Sequence, residues 1–272
     1  MEYQYFKEFL IGGGVSLVIA IITFFVSKSK QKKLFSVQVA EKASCGEIKK
    51  TAQEVAQEIG AGSFNQYSKI YGKVSAPSPL TSPFAEQPCV YFTSTVYRKY
   101  ESVETYTDDN GKKQQRRVTG EETVSSENDQ IPFMINDGTG EIEVSTQGII
   151  REDLVQSLNR FVPGEGGRSL SLGRFAFNLP AFGAASRTLG YRYEERIFPV
   201  NRNALVIGKI TDNSGSLRFE KPEDKDYKFL LTTKSEDEYI STTKKGIKVT
   251  KILSAVFLVA TAVLAILPFI LK

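Results

Sequence analysis

The sequence contains few side chains that could act as nucleophiles, bases or metal ligands. Its 272 residues include no histidine and two cysteines, Cys45 and Cys89. Cysteine and serine nucleophiles usually depend on a neighbouring histidine base, and a structural zinc site takes four cysteine or histidine ligands. The composition therefore excludes histidine-assisted acyl transfer and a four-ligand cysteine–histidine zinc centre. We predict no catalytic, cofactor-binding or metal site.

Cys89 lies in an unusual setting, the stretch PSPLTSPFAEQPCVYF at residues 77–92. Four prolines precede it, and the aromatic and β-branched residues that follow favour a strand. Because proline cannot donate to a strand ladder, Pro88 marks where the strand begins. Cys89 is therefore predicted to be a small buried residue at the start of a strand, and not a nucleophile.

Glycine-rich and acidic stretches resemble ligand-binding loops but lack the residues that complete them. GEGGRS at residues 164–169 lacks the Gly-Lys-Ser/Thr ending of a phosphate-binding loop. DDNG at residues 108–111 resembles the start of a calcium loop, but its glycine comes too early and no glutamate closes it. The carboxylate pairs Glu194–Glu195 and Asp137–Glu141 are interpreted as solvated strand faces.

An aromatic, basic strand is the feature that most resembles a nucleic-acid site. Its rings could stack bases on a barrel of the oligonucleotide-binding (OB) type. Acidic residues are interleaved with it, however, and the net charge of +4 is contributed mostly by lysines elsewhere. We predict no nucleic-acid partner and keep an OB-like binder as an alternative function. The residues concerned are Tyr91, Tyr97, Tyr100 and Tyr106, with Lys99, Arg116 and Arg117.

Two long apolar segments, residues 9–26 and 252–271, carry no charged side chain. At 1.5 Å per residue, each is long enough to cross a hydrocarbon core about 30 Å thick. We predict a two-pass membrane protein. The alternatives are a cleaved signal peptide for the first segment and a lipid-anchor signal for the second. The small residues Gly12, Ser16 and Ala20 suit close packing against the second segment, or against another copy in a homo-oligomer.

Lysines flank both apolar segments on the side that faces the middle of the chain. By the positive-inside rule, they place the middle region in the cytoplasm and both termini outside. At headgroup height they would also attract anionic lipids, so the bilayer is a predicted partner. The flanking lysines are Lys28, Lys30, Lys32, Lys33, Lys244, Lys245, Lys248 and Lys251.

The region between the two segments is predicted to be a β-rich domain that begins with a helix. Apolar residues recur at helical spacing over residues 34–60. Residues 66–235 are dense in β-formers, with hairpin turns predicted at 109–111 and 137–140. The Gly-rich stretch 162–190 is predicted to be a long loop that packs on the sheet or contacts the membrane or a partner. Its exposed-looking apolar residues are Phe175, Phe177, Leu179 and Phe182.

These elements predict an α+β fold, with a twisted antiparallel sheet or partly open barrel between two transmembrane helices. The predicted domains are an anchor over residues 1–27, a soluble domain over 28–251 and a C-terminal membrane helix over 252–272.

Four stretches of this chain resemble one domain family, the GIDE or beside-a-membrane (BAM) domain. They are YGKV (71–74), LTSPF…PCVYF (80–92), PFMINDGTGEIEV (132–144) and ERIFPVNRNALVIGKI (195–210). The domain occurs in mitochondrial RING-type ubiquitin ligases and in RING-less prokaryotic relatives. The resemblance implies a membrane-anchored module that binds a protein partner.

In the ligases of this family, ubiquitin transfer belongs to a RING finger, and these 272 residues lack the cysteines and histidines that a RING requires. We therefore expect a RING-less relative that acts as an interaction or scaffolding module at the membrane, without chemistry of its own. The partner is unknown. A ubiquitin-ligase-family protein is the alternative.

Overall fold

The computed structural model describes residues 2–108, 110–164, 169–178 and 186–270. These residues form three helices, α1 (Glu2–Val39), α2 (Cys45–Ile59) and α3 (Glu236–Ile270). They also form strands β1 (Glu41–Lys42), β2 (Asn65–Ser75), β3 (Leu80–Thr81), β4 (Pro88–Thr107), β5 (Lys113–Gln130), β6 (Phe133–Asn136), β7 (Glu141–Val144), β8 (Ile150–Arg151), β9 (Val155–Pro163), β10 (Ser169–Leu172), β11 (Phe175–Asn178), β12 (Ser186–Pro199), β13 (Asn203–Thr211), β14 (Arg218–Glu220) and β15 (Leu230–Thr232). The predicted α+β class, with a β-rich part between two apolar helices, is confirmed.

The chain divides into two compact units. The first comprises Met1–Tyr71, Gly148–Ile150 and Leu205–Lys272, and the second comprises Gly72–Gln147 and Arg151–Ala204. The first unit therefore holds all three helices, and the second holds the two long strands β4 and β5.

In the first unit, the core forms around the end of α1 and the start of α3. β13 pairs with β14 and β15 in antiparallel fashion, and β1 pairs with β2 in parallel. Alternate residues of β13 and the inner faces of both helices supply the buried side chains. The cluster consists of Val37, Ala40, Leu205, Ile207, Leu230 and Tyr239.

The structure divides the helix that was predicted over residues 34–60. α1 runs to Val39, and α2 begins at Cys45 after the short strand β1. The break has a local cause, because Ser44 and Glu47 form a capping box. The Ser44 hydroxyl accepts from the Glu47 N–H, and the Glu47 carboxylate accepts from the Ser44 N–H. This pair satisfies the first free N–H groups of α2, so a new helix starts there.

In the second unit, a five-stranded antiparallel sheet has the order β3–β4–β12–β9, with β5 also paired to β4. The predicted β4–β5 hairpin is present, but its turn is longer than a two-residue Asn-Gly turn. The Asp108 N–H donates to the Lys112 carbonyl at 2.9 Å, and the Gly111 N–H donates to the Asp108 carbonyl at 2.9 Å. Gly111 has a φ of 78°, which favours glycine. Asp109 lies outside the described residues.

The predicted hairpin at residues 137–140 is present as β6 and β7, with Asn136 opposite Glu141. β2 also pairs with β6 in this unit. The two strands approach closely at Gly72, where an added Cβ would lie 2.5 Å from the Asn136 carbonyl oxygen. Only glycine fits this position without moving the backbone.

The stretch predicted as a loop over residues 162–190 contains the ends of β9 and β12 and the hairpin β10–β11. The expectation that Phe175 is exposed is wrong. Phe175 is buried against Phe84, with the ring centroids 5.1 Å apart, because it closes one side of the sheet core. The Phe177 side chain, Leu179 and Phe182 lie outside the described residues.

Candidate functional site

Two helices of the described chain are long and apolar enough to cross a bilayer, judged by length and composition. They are the 32-residue stretches Glu8–Val39 and Glu236–Leu267, whose most apolar 18-residue windows have mean hydropathies of 2.5 and 2.3. Their most apolar windows are 17% and 6% buried, so most of that surface is uncovered in the protein itself. Both properties are consistent with a two-pass membrane protein.

α1 and α3 lie side by side and antiparallel. The Ser16 hydroxyl donates to the Phe257 carbonyl at 2.8 Å, and the Ser254 hydroxyl donates to the Ala20 carbonyl at 3.1 Å. An added Cβ at Gly12 would lie 3.6 Å from the Leu264 side chain. The small-residue stripe of α1 therefore packs against the second apolar helix, one of the two partners that the sequence left open.

The antiparallel pairing brings the two sets of flanking lysines to one level. Gly246 lies beside Lys30, since an added Cβ there would be 3.0 Å from the Lys30 Nζ. The eight flanking lysines therefore occupy about two turns of each helix, directly beyond the apolar segments. We call this group of eight the lysine collar. One member, Lys32, forms an exposed ion pair with Asp226 at 2.9 Å.

Lys69 connects the ends of the two long helices. Its buried Nζ donates to the Val37 carbonyl at 2.8 Å and to the Glu236 carboxylate at 2.6 Å. The last turn of α1 has no basic residue of its own, so Lys69 from β2 supplies the positive charge that a helix C-terminus favours. Ser68, Lys69 and Ile70 are all buried in succession, so β2 does not alternate between buried and exposed residues here. A strand pattern in the sequence therefore gives no local signal for the role of Lys69.

Glu195 contradicts the prediction that the Glu194–Glu195 pair is a solvated face. Its side chain is fully buried and accepts five hydrogen bonds within the second unit. The donors are the hydroxyls of Ser82 (2.9 Å), Ser94 (3.1 Å) and Ser157 (2.7 Å) and the N–H groups of Phe84 (2.7 Å) and Ala85 (3.1 Å). A carboxylate is tolerated inside this core because hydrogen bonds occupy both of its oxygens.

The sequence did contain a signal for the burial of Glu195. In β12, the alternating positions Tyr191, Tyr193 and Ile197 are buried, and Glu195 belongs to the same set. Its donors Ser82, Phe84 and Ala85 belong to the segment that precedes β4, so Glu195 fastens this segment to the sheet. We call residues 82–85 the strap.

Glu194 points to the opposite face, as adjacent strand residues must. It pairs with Arg192 and Arg196, each at 2.8 Å, and Arg192 also pairs with Glu121 at 3.0 Å. Hydrogen bonding to Glu121 raises the pKa of Arg192, and hydrogen bonding to Arg192 lowers the pKa of Glu121.

The aromatic strand is engaged by arginines of the same chain. The Arg192 guanidinium lies 4.1 Å from the Tyr97 ring centroid, and that of Arg151 lies 4.3 Å from the Tyr91 centroid. Arg116 lies over Tyr106 at 5.6 Å. Such cation–π contacts place an arginine of the same chain over each of these three rings.

Cys89 is buried at the second position of β4, beside Phe92 and Ile197. Burial, with the negative charge of Glu195 nearby, raises its pKa to about 12. A thiol with this pKa is protonated at neutral pH and is a poor nucleophile.

The carboxylates of Asp108 and Asp137 stabilise turns by accepting hydrogen bonds. Asp108 accepts from the Asn110 and Lys112 N–H groups, and these bonds lower its pKa, with Lys112 contributing most. Asp137 accepts from the Thr139 N–H and hydroxyl. Within the described ranges, no group of three His, Cys, Asp or Glu side chains is placed to hold a metal ion.

Comparison with known proteins identifies one relationship. A family model described as GIDE, E3 ubiquitin ligase, matches residues 101–265, from the outer part of β4 to the second apolar helix. No curated protein and no solved structure matches the chain. The match covers more than half of the sequence, and the chain therefore belongs to the GIDE family.

Proposed function

We propose that this protein is a membrane-anchored interaction module that binds a protein partner and performs no chemistry of its own. The observation that carries the proposal is the combination of two apolar helices with a β-rich unit whose reactive groups are occupied. Cys89 is buried with a raised pKa, and the Glu195 carboxylate is saturated by five donors. By contrast, the β4–β5 hairpin exposes the apolar side chains of Val103 and Tyr106.

The lysine collar supports a specific orientation within this proposal. Eight lysines at one level, directly beyond two adjacent apolar helices, match the pattern of a cytoplasmic membrane boundary. The β-rich part would then lie in the cytoplasm with both termini outside, and the collar would lie among anionic headgroups.

Reporter fusions test this orientation. Fusions at the C-terminus should report a location outside the cytoplasm, whereas fusions in the exposed Asn110–Gly111 turn should report the cytoplasm. Replacing all eight collar lysines by glutamine should give a mixture of orientations, because the charge difference that orients the helices is lost. The same number of lysine-to-glutamine changes elsewhere in the chain is the control. A cytoplasmic C-terminus in the unchanged protein would contradict the orientation.

Partner capture tests the interaction role. A photo-crosslinking residue at Val103, which is 56% exposed on the hairpin, should capture a protein in the native membrane. The matched control is Val256, which is also 56% exposed but lies on an apolar helix and should capture lipid. Equal protein capture at both positions, or none at Val103, would count against the proposal.

The family description favours a second candidate, a ubiquitin-ligase-related role. Two cysteines and no histidine cannot ligate the zinc ions of a RING, so such a role would need a RING from outside these 272 residues. Discharge of a ubiquitin-charged conjugating enzyme separates the two candidates. Under the interaction proposal the purified chain does not accelerate discharge, and acceleration by this chain alone would overturn it.

A further inference from the structure

The second unit contains a groove that the proposed interaction role does not yet use. It has a volume of about 500 Å³ and lies between the sheet and the segments that cover it. Leu80, Pro83, Phe92 and Phe175 supply its apolar lining. Glu127 and Asp129 of β5, together with Arg174, are its charged lining residues.

The register of the sheet explains why these two carboxylates face the groove. Glu127 lies opposite Ser94 and Asp129 lies opposite Phe92. Ser94 and Phe92 point inward, as shown by the hydrogen bond from Ser94 to Glu195 and by the burial of Phe92. Glu127 and Asp129 therefore lie on the inner face too, two residues and about 7 Å apart along β5.

The charges of Glu127 and Asp129 are only partly offset within the described part of the chain. Farther along the same strand, Glu121 pairs with Arg192 and Glu122 pairs with Arg98. Glu127 and Asp129 form no ion pair among the described residues, and Arg174 is the one basic residue in the groove lining, so the lining keeps a net charge of −1. A ligand with positive charge at matching spacing would pair with these two carboxylates.

The outer edge of β5 indicates that the ligand is an extended peptide. Among the described residues, β5 pairs only with β4, so its other edge presents N–H and C=O groups to solvent. An extended peptide that joins such an edge makes main-chain hydrogen bonds and points alternate side chains to one face. Basic side chains at alternate positions would therefore meet Glu127 and Asp129 together.

We propose that this groove binds an extended protein segment with the pattern basic-x-basic-x-apolar. The two basic side chains pair with Glu127 and Asp129, and the apolar side chain packs against Phe92 and Leu80. The inference rests on the proposed interaction role, for which it names the contact site and the chemistry of the partner.

The test uses the full chain in nanodiscs and a fluorescein-labelled peptide, Ser-Thr-Arg-Thr-Arg-Thr-Leu-Ser, in a polarisation assay. We expect saturable binding that weakens as salt is raised, and about tenfold weaker binding to the E127Q/D129N variant. The matched control is E141Q/E143Q, which removes two carboxylates at the same spacing from β7, outside the groove. This control should bind the peptide as the unchanged protein does.

A charge exchange makes the test independent of any loss of folding. An E127K/D129K variant should bind the peptide in which both arginines are replaced by glutamate, and should reject the original peptide. Equal binding of the original peptide to all variants would overturn the groove proposal. So would a change in the mass of the assembly with E127Q/D129N but none in peptide affinity, because a second copy would then be the occupant.

The groove proposal and the interaction role fail in different ways. If the Val103 crosslinker still captures a protein while the charge variants leave that capture and peptide binding unchanged, the groove is not the contact site and the interaction role stands. If no protein is captured but the peptide binds with the expected charge dependence, the groove is supported as a peptide site and the membrane partner is contradicted.

Discussion

Replacing Glu195 by alanine should lower the free energy of unfolding of the second unit by about 3–5 kcal/mol. This is a large part of the roughly 5–15 kcal/mol by which a typical domain is stable. The change removes the acceptor for three buried hydroxyls and two strap N–H groups, and each buried donor that loses its partner is costly. The strap would then detach, exposing Phe84 and opening the apolar lining of the groove. Urea unfolding of the intact protein in detergent measures the loss.

A graded series keeps this prediction testable if the alanine variant does not fold. Glu195→Gln retains one carbonyl acceptor but turns an amide NH₂ toward other donors, and should cost about 2 kcal/mol. Glu194→Gln is the adjacent control, because it breaks only partly exposed ion pairs and should cost less than about 1 kcal/mol. Equal losses for Glu194→Gln and Glu195→Gln would contradict the role assigned to Glu195.

Replacing Lys69 by methionine should lower the stability of the first unit by about 2–4 kcal/mol. The variant leaves the Val37 carbonyl and the Glu236 carboxylate without their buried donor. The Lys69 and Glu236 side chains are 8% and 29% exposed, so water replaces the lost contact only in part. Both long helices end at this point, and their separation should increase the exchange of amide hydrogens near Val37 and Glu236.

A double-mutant cycle separates the ion pair from the packing. If the two groups act together, Lys69→Met with Glu236→Gln should cost less than the sum of the single changes, because no uncompensated carboxylate remains. Lys32→Met is the control, since it breaks an exposed ion pair with Asp226 and should leave the unfolding midpoint unchanged. A strictly additive cycle would show that the ion pair with Glu236 does not contribute, and that Lys69 stabilises the protein through its packing and its hydrogen bond to the Val37 carbonyl.

These two residues show where prediction from the sequence ended. The Glu194–Glu195 pair showed that one carboxylate would lie on each face of its strand, and the apolar alternation of β12 indicated the covered face, but no neighbouring residue showed which groups would donate hydrogen bonds to a buried carboxylate. These donors come from the strap and from Ser157. Ser82 of the strap lies 113 positions from Glu195 in the chain, and Ser157 lies 38 positions from it. Lys69 likewise acquires its role from Val37 and Glu236, which meet only because α1 and α3 pack side by side.

The break at residues 40–44 is a different case, because its cause is local. Ser44 and Glu47 form a capping box that can be recognised in the sequence, yet the apolar spacing across residues 34–60 favoured one continuous helix. The capping interactions prevailed, since a new helix start satisfies free N–H groups and β1 pairs with β2.

The sequence by itself determined the features that depend on neighbouring residues. Hydropathy over about 20 residues predicted both apolar helices, turn chemistry predicted both hairpins, and the proline-rich approach to Cys89 predicted a buried strand start. Only the tertiary structure decided the partners of the small-residue stripe, the hydrogen-bond donors to Glu195, the Lys69 contact and the place of Glu127 and Asp129 in the groove. Each of these depends on which distant segments meet, because burial and long-range pairing are properties of the assembled sheet and helix pair, not of any short stretch.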